Sequence, residues 1–134
     1  MNYYIDSSAI IKLIIKEEES QALLRVINQK MFTSVLAKVE VARTLARSST
    51  SSTKVRDQVM HHLDFLPISE EVINLIEEIP LPRQVRSLDS IHIGSAHLIS
   101  ELIDGVITYD KDMQQALTQL GILWLAPKKS SQPN

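Results

Sequence analysis

Short apolar runs that each end at a helix-capping residue constrain the fold of this chain more than any other feature of it. Asn2–Ile5 reads as a strand, and Asp6, Ser7 and Ser8 then cap a helix carrying Ile10, Ile11, Leu13 and Ile14. A second helix is expected over Glu19–Asn28. Met31–Thr33 is the next strand, ending at Ser34, and the helix Val35–Arg47 follows with Val35, Val39, Ala42 and Ala46 at roughly helical spacing. The Ser/Thr tract Ser48–Thr53 is too polar for a core and reads as a loop. Lys54–His62 returns as helix, Phe65–Ile68 as a brief extended piece, and Ser69, Glu70 and Glu71 open a helix that stops before Pro80 and Pro82. Ser87–Ile103 reads as a central helix with Leu88, Ile91, Ile99 and Leu102 in one stripe, leading to the strand Gly105–Thr108. Asp110–Leu120 is the last helix, Gly121 its C-terminal cap and Ile122–Leu125 the last strand.

Strands alternating with helices call for an α/β architecture of three layers, α/β/α, with a short central parallel sheet flanked by helices. Ligands of such sheets bind beyond the carboxyl ends of the strands. The 134 residues are enough for one such unit and too few for two. The domain is expected over residues 1–127, with 128–134 a disordered tail. A composition of 44% hydrophobic and 22% charged residues excludes wholesale disorder. The formal charge of −2 carries no global polyanion-binding signature, so a nucleic-acid partner requires a local basic patch. With no cysteine, disulfides, thiolate zinc sites and a cysteine nucleophile are excluded, and a cytoplasmic location fits. The first apolar stretch lacks a basic leader and is broken by Lys12 and Lys16, so neither a signal peptide nor a membrane span is expected.

Asp6 and Asp110 fall just beyond strands, and Glu40 and Asp89 project from helices packed nearby, so one site can gather all four. Two like charges about 4 Å apart repel by roughly 4 kcal/mol at an effective dielectric near 20, a cost that only protons or a cation relieve. Oxygen donors without thiolates favour a hard ion, Mg²⁺ or Mn²⁺, over zinc. Each acid also has a plainer role. Asp6 and Asp110 can serve as N-caps, Glu40 can pair with Arg43, and Asp89 suits the first turn of its helix. His61, His62, His92 and His97 show no ligand spacing, and packing or exposure is the expectation for them. Ser7 and Ser8 lack a nucleophile elbow and read as caps. Lys38, Arg43, Arg47, Lys54 and Arg56, with Arg83 and Arg86, form either a solvated face or a phosphate-binding one. The few aromatics offer no base-stacking platform.

These segments resemble the PIN-domain family, and most of all the VapC toxins of toxin–antitoxin pairs, over nearly the whole chain. YIDSSAIIKLIIKEEES resembles the family opening, TSVLAKVEVARTLAR the segment that supplies a glutamate, VRSLDSIHIGSAHLI the central helix and GVITYDKDM the last acidic strand end. Val85 replaces a usual leucine, and Ser90, Gly94 and Ser95 stand where alanine or threonine is common. The resemblance implies that Asp6, Glu40, Asp89 and Asp110 are the catalytic, metal-holding acids, with Asp112 a further ligand. It implies a Mg²⁺- or Mn²⁺-dependent endoribonuclease cutting tRNA or ribosomal RNA, with Arg86, Lys111, Arg43 and Arg47 on the substrate. A VapB-like antitoxin that places a basic side chain in the acidic groove, a homodimer, and promoter DNA met only through the antitoxin are implied as well.

Other readings meet obstacles or wait for a test. A haloacid-dehalogenase phosphatase needs Asp-x-Asp where this chain has Asp6, Ser7 and Ser8, and a receiver domain needs paired acids there. A PIN fold that binds RNA or a partner without cutting, and a DNA- or structure-directed nuclease, are the alternatives.

Overall fold

The computed structural model describes residues 1–15, 30–48 and 53–128. Its elements in chain order are β1 (Tyr3–Ile5), α1 (Ser7–Ile14), β2 (Met31–Ser34), α2 (Leu36–Ala46), α3 (Thr53–His61) and β3 (Leu63–Leu66). They continue with α4 (Glu70–Glu78), α5 (Ser87–Leu98), β4 (Gly105–Ile107), α6 (Lys111–Gln119) and β5 (Trp124–Leu125). The expected helix over Glu19–Asn28, most of the Ser/Thr loop and the tail from residue 129 lie outside the described residues.

The five strands form one parallel sheet in the order β3-β2-β1-β4-β5. From β1 the chain winds outward through β2 and β3, then returns to the other side of β1 for β4 and β5. The winding therefore reverses between β1 and β4, and in such sheets the crevice at the carboxyl ends of that pair is the place for a ligand. Successive residues of β1 point to opposite faces. Tyr3 and Ile5 join Ile10, Ile14, Met31, Val41 and Leu45 under α1 and α2, while Tyr4 joins Ile93, Val106, Met113 and Leu117 under α5 and α6. Burial on both faces is why β1 and β4 read as unbroken apolar runs.

Helix boundaries follow local chemistry. Ser69 caps α4 by accepting from the Val72 amide at 3.3 Å. Gly121, at φ 74°, ends the turn after α6, and Ile122 N–H and Gly121 N–H reach back to the carbonyls of Leu117 and Thr118. That is the paired bonding of a Schellman turn. Gly94 lets α5 approach α4, because a Cβ there would lie 2.8 Å from Ile76 Cγ1 and 3.3 Å from the Val72 carbonyl oxygen.

Several expectations need correction. α5 ends at Leu98, followed by a 3₁₀ turn at Ser100–Leu102, instead of running to Ile103. Its buried face is Ser90, His92, Ile93, Gly94, Ser95 and Ala96, whereas Leu88 and Leu102 are exposed. Close packing against α4 and the sheet selects small side chains, which a search for large apolar residues passes over. The buried residues of α2 are Ala37, Val41 and Leu45, and Val39, Ala42 and Ala46 face solvent. β3 begins at Leu63, two residues before the expected extended piece, because it pairs in register with Met31–Ser34. β5 is confined to Trp124–Leu125. Among the described residues no helix is long and apolar enough to cross a membrane.

Candidate active site

At the carboxyl end of β1 the chain turns into α1 through Asp6, which is 2% exposed. Asp6 Oδ1 accepts from the Ala9 amide at 3.1 Å and the Ser8 hydroxyl at 2.6 Å, while Oδ2 accepts from Thr108 Oγ1 at 2.5 Å. The residue is thus the N-cap of α1 and also a buried charge held across the sheet. Thr108 lies just past β4 and its Oγ1 also accepts from the Asp110 amide at 3.1 Å. One hydroxyl so joins the two strand-end acids. Asp110 in turn caps α6, its Oδ1 accepting from the Met113 amide at 2.9 Å.

Glu40 reaches the same place from the middle of α2. Its Oε1 accepts from Ser7 Oγ at 2.5 Å and His92 Nε2 at 2.6 Å. The pairing with Arg43 expected as an alternative is not made, since the carboxylate turns inward to the imidazole while Arg43 is exposed. Asp89 occupies the first turn of α5, half-buried.

Electrostatics shows that the four acids share one field. Burial pushes the Asp89 carboxyl up, Asp110 pushes it further, and Glu40 and Asp6 add to this against an opposing pull from His92. Asp6 is raised by burial, which outweighs His92, Ser8, Thr108 and the Ala9 amide. Burial raises Glu40 too, but the hydrogen bond and charge of His92, with the Ser7 hydroxyl, hold it below the usual carboxylate range. One carboxylate is therefore stabilised in its charged form while two are frustrated in theirs.

Such a donor set suits a hard cation. Among the described residues no three acidic or imidazole groups already form a cage. Mg²⁺ keeps several of its waters when bound, so an open arrangement of oxygens that act partly through water is compatible with it. The residues fit the ion by chemistry: all-oxygen donors, excess negative charge and two carboxyls whose ionisation a cation would relieve.

The remaining residues of interest stand apart to different degrees. Asp112, also in the first turn of α6, is exposed and outside the set acting most strongly on Asp89. Arg86 is the exposed N-terminal neighbour of α5, and Arg43 and Arg47 lie on the solvent side of α2. Lys111 follows Asp110 directly and lines a cleft of about 400 Å³ with Tyr109, Gln114, Trp124, Ala126 and Lys128. Sequence reasoning missed Tyr4, His92 and Thr108 and reduced Ser7 and Ser8 to caps. The usable signals were the three-residue offset of His92 from Asp89, which puts both on one helical face, and the hydroxyl at the end of β4.

Comparison with known proteins places the chain. The family model of the PIN domain matches residues 3–117. Ribonuclease VapC46 of Mycobacterium tuberculosis is 36% identical over 126 residues, covering 92% of this chain and 96% of that protein. Ribonuclease VapC47 of the same species is 33% identical over 131 residues with the same coverage. In fold, it is similar to a toxin–antitoxin complex from Klebsiella pneumoniae, with a TM-score of 0.71 at 14% identity, covering 96% of this chain and 99% of that one. M. tuberculosis VapC20, a sarcin-ricin-loop-cleaving toxin, gives 0.67 at 12% identity, covering 93% and 99%. VapBC2 of Rickettsia felis, bound to a DNA fragment from its promoter, gives 0.62 at 12% identity, covering 93% and 98%. The chain belongs to the PIN-domain family and is a homologue of the VapC ribonucleases.

Proposed function

We propose that this protein is a metal-dependent endoribonuclease and the toxin of a toxin–antitoxin pair. The observation that carries the reading is the field that Asp110, Glu40 and Asp6 exert on Asp89, which with burial raises its carboxyl, near the crevice where the sheet's winding reverses. Homology to ribonucleases supplies the substrate class.

Asp6, Glu40 and Asp89 would hold Mg²⁺ or Mn²⁺, with Asp110 joining directly or through water and Asp112 able to assist. When bound, the ion polarises the scissile phosphate, activates a water and steadies the leaving oxygen. The chain's own part is positioning. Thr108, Ser7, Ser8 and His92 hold the carboxylates, so little reorganisation is needed at the moment of reaction. Lys111 and Arg86 flank Asp110 and Asp89 in sequence and are suited to phosphate oxygens, with Arg43 and Arg47 further along the strand of RNA. The resemblance favours tRNA or a ribosomal RNA loop as target.

A VapB-like antitoxin, which would place a basic side chain among the acids, is the expected partner. Val39 and Leu88, 60% and 51% exposed beside Glu40 and Asp89, suit an apolar peptide lying over the site. A homodimer, contact with promoter DNA through the antitoxin alone and a cytoplasmic location complete the proposal.

The test is expression of the chain in a bacterial host from a tightly controlled promoter, unmutated and as Asp89→Asn, with RNA 5′ ends sequenced. Growth arrest with discrete new ends only for the unmutated chain is the expected result, and the ends name the target. Soluble protein that produces no new ends, or ends that persist in Asp89→Asn, would refute cleavage at this site and leave RNA or partner binding.

A further inference from the structure

We propose that His92 is a positioning residue that locks the Glu40 carboxylate in the orientation needed to hold the ion, anchored in turn by Tyr4 in the sheet. The inference rests on the reading of Glu40 as a metal-holding acid. His92 is 2% exposed on a helix face otherwise built from small residues and Ile93. A ring chosen for packing alone would not need both nitrogens engaged, yet here both are. Nδ1 lies 2.7 Å from the Tyr4 hydroxyl and Nε2 lies 2.6 Å from Glu40 Oε1. An ionised carboxylate only accepts, so Nε2 carries the hydrogen of that bond. With Nε2 committed to Glu40 and Nδ1 to Tyr4, His92 orients a ligand and does not serve as one.

The anchor is rigid. Tyr4 is fully buried in the middle of β1, and its ring meets the imidazole edge-on, with centroids 5.9 Å apart at 75°. The buried Thr33 and Ser95 hydroxyls make no hydrogen bond, so the Tyr4 hydroxyl keeps its bond to His92. Glu40, by contrast, is a long side chain whose rotamer freedom must be lost before it can hold an ion. Ser7 and His92 both bond to Oε1. Two donors on one oxygen restrain the carboxylate and leave Oε2 as the oxygen for a cation. Loss of partners of this kind typically weakens metal binding by about 10–100-fold.

Calorimetric titration of the metal-free full-length chain with Mn²⁺, together with thermal unfolding in chelator, tests this. His92→Leu keeps the bulk and removes the N–H, and it should weaken Mn²⁺ binding by about 10–100-fold. His92→Gln returns an amide N–H near the position of Nε2 and should recover most of that loss, which a purely packing role would not predict. Tyr4→Phe, which leaves the imidazole in place, should weaken binding by about 3-fold, the scale of one neutral hydrogen bond felt at one remove. Unchanged affinity in His92→Leu, or no recovery in His92→Gln when both unfold at the same temperature, overturns the inference. Should His92→Leu fail to fold, unchanged affinity in Tyr4→Phe overturns it and the 3-fold loss upholds it. An unmutated chain that binds no Mn²⁺ overturns the reading of the acids and this inference with it, and is recognised before any variant is made.

Discussion

Asp89→Asn should stabilise the metal-free protein while ending cleavage. Asp89 is half-buried, and its carboxyl is raised first by burial and then by Asp110, with Glu40 and Asp6 behind. The amide keeps the shape and removes the charge. Two like charges ~8 Å apart at an effective dielectric of ~20 repel by ~2 kcal/mol. His92 opposes the repulsion, and solvent screening at a half-exposed group reduces it to a net of ~1 kcal/mol. Losing a carboxylate from the first turn of α5 returns ~0.3 kcal/mol of that. The remaining gain of ~0.7 kcal/mol corresponds to a rise of ~2–3 °C in Tm for a domain of this size. Calorimetric melts in chelator at pH 7.5 and low salt measure it, and the gap should narrow as salt screens the charges. Saturating Mn²⁺ should reverse the order, because an ion held only by the native acidic site stabilises the unmutated chain selectively. An Asp89→Asn protein that melts at or below the unmutated one in chelator, with no salt dependence, would refute the claim that these carboxylates strain the fold.

The same electrostatics fixes the pH response. For Asp6 and Asp89, whose carboxyls are raised, the folded chain binds protons more tightly than the unfolded one, so their contribution is present below the ordinary carboxylate value and lost as pH rises through the raised one. Glu40 has the opposite sign: its contribution is present above the ordinary value and lost as pH falls through the lowered one. Mn²⁺ uptake should therefore release protons in mildly acidic buffer, and titrations in buffers of different ionisation heat should show a smaller release for Asp6→Asn; equal release would assign the protons elsewhere. Gly94→Val should destabilise by ~2 kcal/mol through overpacking against Ile76 and the Val72 carbonyl, seen as a shift in urea midpoint, and an unchanged midpoint would mean that α4 and α5 can part at little cost.

The architecture was legible wherever an element's identity depends on its own residues. Strand, cap and helix follow one another at Ile5–Asp6–Ser7, and again at Ile107 through Asp110, because an apolar run buried on both faces must end before the backbone can turn, and the turn needs an acceptor for the first free amides. What sequence reading could not supply was which side of a helix is inward. In α5 it chose the larger apolar side chains, among them the exposed Leu88, and in α2 it chose a stripe through Val39, Ala42 and Ala46 that faces solvent while Val41 and Leu45 are buried. The inward faces are set by neighbours, and a helix that packs closely on another buries Gly94, Ser95 and Ala96 in preference to leucine.

The two readings of the strand-end acids do not compete. Asp6 and Asp110 are caps, and capping leaves the proposed site role open to them: each accepts the capping amide through one oxygen, and Asp6 offers its second to Thr108 across the sheet. Capping places a carboxylate at a strand end, the strand order brings two such ends together at the β1/β4 crevice, and the surplus charge is what a cation requires. His92 obeyed no such local rule. Measured against His97 its spacing suggested nothing, because its partners are Tyr4 and Glu40, 88 and 52 positions away. The two strand-end acids are thus written into the local grammar of the chain, while the group that holds Glu40 below the usual carboxylate range is a product of the tertiary fold. Loss of an acid should therefore spare the fold and abolish the chemistry, whereas loss of His92 should loosen the ion and the orientation of Glu40 together.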